Sequence, residues 1–517
     1  MKKQHIVTKL FKLLFSRLAL VVVLLVIQAA VLLILVLTLS KYFIYVYALF
    51  TILSLLMVIF LVNKDDNPEV RISWIICIMS FPVFGGLFYI LLGRAKVDKS
   101  HKKQMMVLKN RSKDILPDDK QVFDNLAQID KLASTQSAYI KSASTYPLYE
   151  NTKTKYLKLG EVKFEQLKIE LNAAKHYIFL QYFIIQEGVM WDAILDILVK
   201  KVKEGLDVRV MYDDLGCVQT LPFQYNKKLE SLGIKCVVFN PFRPHFNAVL
   251  QNRDHRKIAV IDGFVGFTGG INLADEYINV YEKHGHWKDC AVMLKGEAVW
   301  SMTLMFLEAW NFYHKDDDDF AKFMPHKFHE EQFCDDGFVQ PYCDSPLDSE
   351  YTGELIYMNI LNEAKDYVYI NTPYFIVDDA LVTAFTSTAK RGVNIKMVTP
   401  HHADKWYVHL MTRSSYKKLI EAGVEIYEYT PGFIHSKTFV SDDKISTIGT
   451  INLDYRSLYH HYECGVWMYQ TDATMELKKD FLEMLNVCQQ VTIEDCKKEK
   501  WYKKLFITII KIFTPLM

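Results

Sequence analysis

One phrase occurs twice in this chain, and that repetition limits the folds open to it. His255-Arg256-Lys257 followed by Asp262 returns as His435-Ser436-Lys437 followed by Asp442. Both copies read His-x-Lys-x-x-x-x-Asp. Six residues later each reaches a small-residue turn and an Asn, Gly269-Gly270-Ile271-Asn272 and Gly449-Thr450-Ile451-Asn452. A motif with its downstream turn repeated in one chain marks two copies of one structural unit.

The duplication extends beyond the motif. Ala174-Lys175-His176-Tyr177 resembles Ala364-Lys365-Asp366-Tyr367, and Gly205, Gly233 and Pro241 match Gly392, Gly423 and Pro431. Pro241 and Pro431 are 190 residues apart, yet the two motif histidines are 180 apart. The first copy therefore carries ten extra residues around 242–253, expected to line one side of a site. In each copy an apolar, β-branched run (177–185; 367–376) precedes a helical pattern (193–202; 380–389) and then another strand. Strands alternating with helices predict α/β halves with mostly parallel sheets, the two halves forming one pseudo-two-fold unit. His and Lys two positions apart share a strand face, so both should point toward one site.

The termini predict a membrane protein. Residues 18–37 and 42–62 are apolar runs long enough to span a bilayer, separated by a short break at Ser40-Lys41, which reads as a helical hairpin. A cleaved signal peptide does not fit this length or the second run that follows at once. Lys2, Lys3, Lys9, Lys12 and Arg17 precede the first run, which places the N-terminus and, after two spans, the catalytic portion on the cytoplasmic face. Residues 72–92 form a third apolar stretch broken by Pro82 and Gly85-Gly86; a third span would carry the basic stretch 94–113 outward, so a non-spanning segment is expected. The basic stretch itself reads equally as a lipid-headgroup contact or a solvated linker. Residues 501–517 mix lysines with Leu, Ile and Phe and predict an interfacial helix. The expected order is two transmembrane helices (1–63), a membrane-associated segment and basic linker (64–145), a first half (146–330), a second half (331–492) and the interfacial helix (493–517).

A net charge of +1 gives no bulk case for nucleic acid, and nine scattered cysteines without a CxxC pair make neither a zinc site nor a disulfide framework. His284 and His286 lack partners at ligand spacing, so no metal is expected.

Two imidazoles and two ammonium groups at matched spacing suit phosphodiester chemistry through a phosphohistidine. Lys257 and Lys437 would offer cations to the phosphate oxygens, and Asn272 and Asn452 neutral donors. One His attacks phosphorus; the other protonates the leaving alcohol and then deprotonates the incoming one, with no metal required. Two like histidines in opposite charge states call for orienting carboxylates, and Asp289 and Glu463, at comparable distances past their motifs, are the candidates. Asp262 and Asp442, part of the motif, sit at strand ends and suit holding the turn together.

At these residues the chain resembles the phospholipase D superfamily, and within it the bacterial cardiolipin synthases. The resemblance rests on His255-Arg256-Lys257 through Gly269-Gly270-Ile271-Asn272-Leu273-Ala274-Asp275-Glu276-Tyr277, on Trp287 with Asp289, and on Asn452-Leu453-Asp454-Tyr455-Arg456-Ser457 leading to Glu463. It implies that two phosphatidylglycerol molecules give cardiolipin plus glycerol without a cofactor, with His255 as nucleophile and His435 as acid/base. His461 departs from the family, where many relatives carry Asn. Two other readings share the motif: a membrane phospholipase D with water as acceptor, and a silent scaffold that binds anionic lipid. The scaffold's signature would be a lost His or Lys, and both motifs are intact.

Overall fold

The computed structural model describes residues 26–34, 42–64, 67–82, 84–93, 99–241, 252–314, 319–329, 333, 337–347, 350–498 and 500–514. Two compact units divide the chain near residue 95. Most of the expected first span, and the lysines and arginine before it, lie outside the described residues.

In the N-terminal unit, Phe43–Val62 is a 20-residue helix, about 30 Å long at 1.5 Å per residue and sufficient to cross a bilayer core. Its side chains are largely exposed leucines, isoleucines and aromatics, a surface suited to lipid. The stretch 72–92 makes no single span. Asn67 caps the helix Pro68–Ser80 by accepting from Glu69 N–H, and that helix stops before Pro82, whose missing N–H and fixed ring prevent continuation. Thirteen residues reach only about 20 Å. The chain then doubles back: a Cβ on Gly85 would lie 2.6 Å from the Cys77 carbonyl oxygen, and the Trp74 and Tyr89 rings meet at 5.3 Å. Ser54, within the long helix, donates to the Pro82 carbonyl at the bend.

The second unit contains both repeats. The first sheet comprises β1 (Thr152–Leu157), β2 (Tyr177–Tyr182), β3 (Asp207–Asp213), β4 (Lys235–Phe239), β5 (Ile258–Ile261), β6 (Val265–Gly269) and β8 (Ala291–Gly296), in the order β1-β8-β6-β5-β2-β3-β4. A short strand β7 (His286–Lys288) stands apart from it. The second sheet comprises β9 (Phe338–Asp344), β10 (Tyr367–Asn371), β12 (Asn394–Pro400), β13 (Glu425–Tyr429), β15 (Thr438–Ser441), β16 (Ile445–Gly449), β18 (Glu463–Tyr469) and β19 (Cys488–Gln490), in the order β19-β13-β12-β10-β15-β16-β18-β9. Short strands β11 (Phe375–Ile376), β14 (Gly432–Ile434) and β17 (Leu453–Asp454) complete the set.

The expected mostly parallel pairing holds only for β2-β3-β4 and β10-β12-β13; every other pair within the two sheets is antiparallel, so the sheets are mixed. The reason is connection length. Helical crossovers return β2 to β3 and β10 to β12 in parallel, whereas β5 and β6 are joined by a three-residue turn at Asp262-Gly263-Phe264 that permits only a hairpin. Asp262 and Gly263 have positive φ in that turn, as Asp442 and Asp443 have in its counterpart.

One core spans both halves. Phe179 and Val292 of the first cluster with Val440 and Val466 of the second around the helix Val299–Tyr313. The expected linker is not a linker in its C-terminal part. Helix Lys99–Lys113 buries Met105 and Leu108 in that same core, and helices Lys120–Ile129 and Lys131–Ser144 bury Leu126, Ala133 and Ile140 in the core of the second half. The basic side chains of 99–113 thus belong to an amphipathic helix of the catalytic unit.

Candidate active site

Each motif histidine lies just before its hairpin, in a segment that pairs with the other half. β14 runs parallel to β7, and His435 N–H donates to the Lys288 carbonyl at 2.7 Å. Asp254 bridges Tyr462 in the same sense, and His255 N–H donates to the Tyr462 carbonyl at 2.9 Å. The residue after each bridging strand is a carboxylate, Asp289 or Glu463. The pseudo-two-fold therefore sets each histidine beside the carboxylate of the opposite half.

His255 Nδ1 lies 2.9 and 3.0 Å from the two oxygens of Glu463. His435 Nδ1 lies 2.7 Å from Asp289 Oδ2. Both candidates expected as orienting carboxylates thus sit on a histidine, and the pairing crosses between halves. Thr450 Oγ1 also donates to Glu463, and Asp289 Oδ1 accepts from Cys290 N–H. Burial pushes His255 down to about 3 and His435 down to about 4, with the adjacent carboxylates opposing the shift. The histidines hold Glu463 and Asp289 below the usual carboxylate range. Neutral imidazoles beside ionised carboxylates must carry their proton on Nδ1, which leaves each Nε2 with a free lone pair.

Lys257 and Lys437 are buried and donate to the carbonyls of their own motif histidines, Lys257 at 2.7 Å. Burial lowers Lys257 to about 8 and Lys437 to about 7, against the pull of Asp289 and Glu463. Aromatic rings wall the site: Phe183 meets the His255 ring at 5.1 Å, and Trp287 meets His435 at 5.3 Å.

Asp262 and Asp442 face away from this chemistry. Asp262 accepts from the N–H groups of Lys175, His176 and Tyr177, and Asp442 from those of Lys365, Asp366 and Tyr367. They tie the hairpin to the start of β2 or β10. Asn272 serves largely as a brace: its Oδ1 accepts from Ile184 N–H and its amide donates to Tyr277 Oη at 2.7 Å. Asn452 is buried, and among the described residues its Oδ1 has no hydrogen-bond partner. Of the insertion, 242–251 lies outside the described residues; Arg253 is buried against Asp213, Nη2 to Oδ1 2.9 Å.

Two groups beside the motifs were not assigned a role by the sequence. Lys163, on helix Gly160–Ala173, is fully buried, lies 3.1 Å from Tyr182 Oη, and is lowered to about 7 by burial, with Asp289 opposing and Lys257 reinforcing. A single lysine on an otherwise ordinary helix carries no sequence signal. His461 Nδ1 lies 3.8 Å from Glu463 Oε1, and its ring is 5.6 Å from that of His255. Among the described residues, His255, His461 and Glu463 form the one cluster with ligand atoms close enough to hold a metal, within 4.8 Å of one another.

Duplicated mixed-sheet halves closing over two buried His–carboxylate pairs define the phospholipase D fold. The solved phosphatidylserine synthase of Haemophilus influenzae superposes over 74% of this chain and 97% of its own with a TM-score of 0.57 at 12% identity. The profile described as "Cardiolipin synthase, PLD-like domain" matches residues 167–295 and 357–485, and that described as "Phospholipase_D-nuclease N-terminal" matches 44–94. A cardiolipin synthase of Halalkalibacterium halodurans is 32% identical over 479 residues, covering 90% of this chain and 92% of that protein. An uncharacterized protein of Streptococcus mutans is 45% identical over 463 residues, 89% of this chain and 99% of that one. The chain belongs to the cardiolipin synthase family, phosphatidyltransferases of the phospholipase D type.

Proposed function

We propose that this chain works as a cardiolipin synthase through a two-step displacement in which the crossed His–carboxylate pairs do the chemistry. His255 Nε2 attacks the phosphorus of one phosphatidylglycerol, the P–O bond to glycerol breaks, and His435 supplies the proton that glycerol takes away. His435 then removes a proton from the free glycerol hydroxyl of a second phosphatidylglycerol; that oxygen attacks phosphorus, the P–N bond breaks, and His255 is restored. Two phosphatidylglycerols give cardiolipin and glycerol, with one phosphodiester broken and one made.

Charge supports this division of labour. In the empty site both histidines are neutral, which readies a nucleophile. An incoming phosphodiester brings a negative charge into a low-dielectric site and favours protonation of the second imidazole and of Lys257 and Lys437. Those two cations meet the charge that builds on the equatorial oxygens. The observation that carries the reading is the crossing itself: each half supplies one histidine and the carboxylate that orients the other.

Trapping tests it. Acid-free quenching of the His435→Ala variant with phosphatidylglycerol should leave a phosphatidyl adduct on His255, read by mass spectrometry. An adduct on His435 in the His255→Ala variant, with none on His255 in the His435→Ala variant, would reverse the assignment.

The protein is membrane-associated, and its substrates are phospholipids. We read it as a multi-pass protein with the catalytic unit on the cytoplasmic face, on the strength of the basic residues before 18–37. Protease should then cut the catalytic unit in inverted vesicles and spare it in intact cells.

A further inference from the structure

A second polar cavity, of about 300 Å³, shares no residue with the catalytic site. His401, Arg413 and Glu428 line one part of it, and Asp495, Lys498 and Lys503 another. Glu428 is buried, and it holds two side chains of the lining: His401 Nδ1 lies 3.0 Å from Oε2, and Arg413 Nη1 donates to Oε1 at 3.0 Å. Arg413 keeps further N–H donors on its fork for a ligand. Asp495 is taken by Lys498 and Thr492. Arg413, Lys498, Lys500 and Lys503 exceed Glu428 and Asp495 in formal charge among the lining residues, so the cavity favours an anion.

Its surroundings say where that anion comes from. Helix Trp501–Phe513 begins at the cavity, and Trp501, Leu505, Ile509 and Phe513 are exposed along it. Helix Trp406–Glu421, which carries Arg413, joins it: exposed Trp406 stacks on Phe506 at 5.4 Å. Aromatic and aliphatic side chains flanked by lysines form the pattern of an interfacial helix pair. The same surface connects to the catalytic site. Tyr374 Oη donates to Asp404 at 2.6 Å, just before Trp406, and Tyr374 packs on Phe433 beside His435.

We propose that this cavity binds the phosphate group of an anionic phospholipid, one that docks the second half on the bilayer and is not turned over. The proposal rests on the reading of the C-terminal helix as interfacial. The bound lipid's phosphodiester accepts hydrogen bonds from Arg413 and Lys503 while its acyl chains lie along the exposed side chains of Trp501 to Phe513.

The test uses the full-length His255→Ala/His435→Ala protein in detergent, which cannot consume the probe. Native mass spectrometry counts dioleoyl phosphatidylglycerol retained per chain, with inorganic phosphate as a separate arm. Adding Lys498→Gln/Lys503→Gln, which leaves the buried Glu428 pair intact, or Arg413→Gln/Lys503→Gln, should remove one retained lipid or weaken it about tenfold. Arg413→Lys/Lys503→Arg should behave as the parent. An unchanged lipid count in both neutralised variants, with unchanged melting, overturns the proposal. Phosphate binding as tightly as the lipid makes this a free-phosphate site and overturns it too. Quenching by brominated phosphatidylcholine liposomes, compared with a Trp406→Phe/Trp501→Phe variant, reads the interfacial placement separately. No quenching attributable to those two residues overturns that reading; quenching with an unchanged lipid count overturns the cavity alone.

Discussion

His255 and His435 are chemically identical side chains in nearly identical surroundings, and each hydrogen-bonds a carboxylate contributed by the opposite half. Replacing Glu463 by Gln or Asp289 by Asn keeps the shape and removes the charge that holds the Nδ1–H tautomer. Steady-state cardiolipin formation should fall roughly 10- to 100-fold in either variant, while unfolding midpoints move little. The lysines set the pH dependence. Lys437 and Lys257 are lowered to about 7 and about 8, so each loses its charge as pH rises through those values. The kcat/KM of the free enzyme should therefore decline between about pH 7 and pH 9. Lys437→Arg, whose guanidinium stays charged, should flatten the Lys437 part of that decline if the variant retains activity. A profile flat to pH 9 in the native chain would show that the phosphate oxygens do not depend on these cations.

At the scale of elements, the motif Asp and the motif turn are architectural. Asp262→Ala leaves three N–H groups at the head of β2 without their acceptor. It should cost about 3 kcal/mol, since unsatisfied donors near a charged partner are expensive, and lower the melting temperature; kcat of the molecules that remain folded should stay within a fewfold. Gly270 makes the converse case. A Cβ there would meet Asp289 Oδ1 at 2.1 Å, so Gly270→Ala must push Asp289 off His435. Its activity should drop toward that of Asp289→Asn.

Much of this was legible beforehand. The repeated motif, the strands of each half, the position of Asp262 and Asp442 at strand ends, and the choice of Asp289 and Glu463 as partners for the motif histidines follow from spacing within one repeat. The crossing does not, because spacing within a repeat carries no information on how β7 meets β14. The antiparallel hairpins were missed because strand patterning reports burial and is silent on direction. Helix Lys99–Lys113 read as a linker because only Met105 and Leu108 mark its packed face against a run of lysines. Lys163 belongs to no pattern.

For the whole molecule, the site exists only where both halves are folded, and they share the core around Val299–Tyr313. Chemical unfolding of the full-length protein in detergent should accordingly show one cooperative transition for the catalytic unit, with tryptophan fluorescence and far-ultraviolet circular dichroism coinciding. Two separated transitions would mean that the halves hold together less firmly than the shared core requires. Internal duplication with crossed pairing also gives a reason for both copies to stay together in one chain: neither half has both a histidine and its carboxylate.

The central claim is that two histidines, each oriented from the other half, pass a phosphatidyl group from one lipid to another. It is tested most directly by incubating the purified protein with phosphatidylglycerol as the sole lipid, beside His255→Ala and His435→Ala, and quantifying cardiolipin, glycerol and phosphatidic acid. The account predicts cardiolipin and glycerol in equal amounts from the native chain and at least about a 10³-fold loss in both variants. Phosphatidic acid without cardiolipin, or undiminished turnover in either histidine variant, would contradict it.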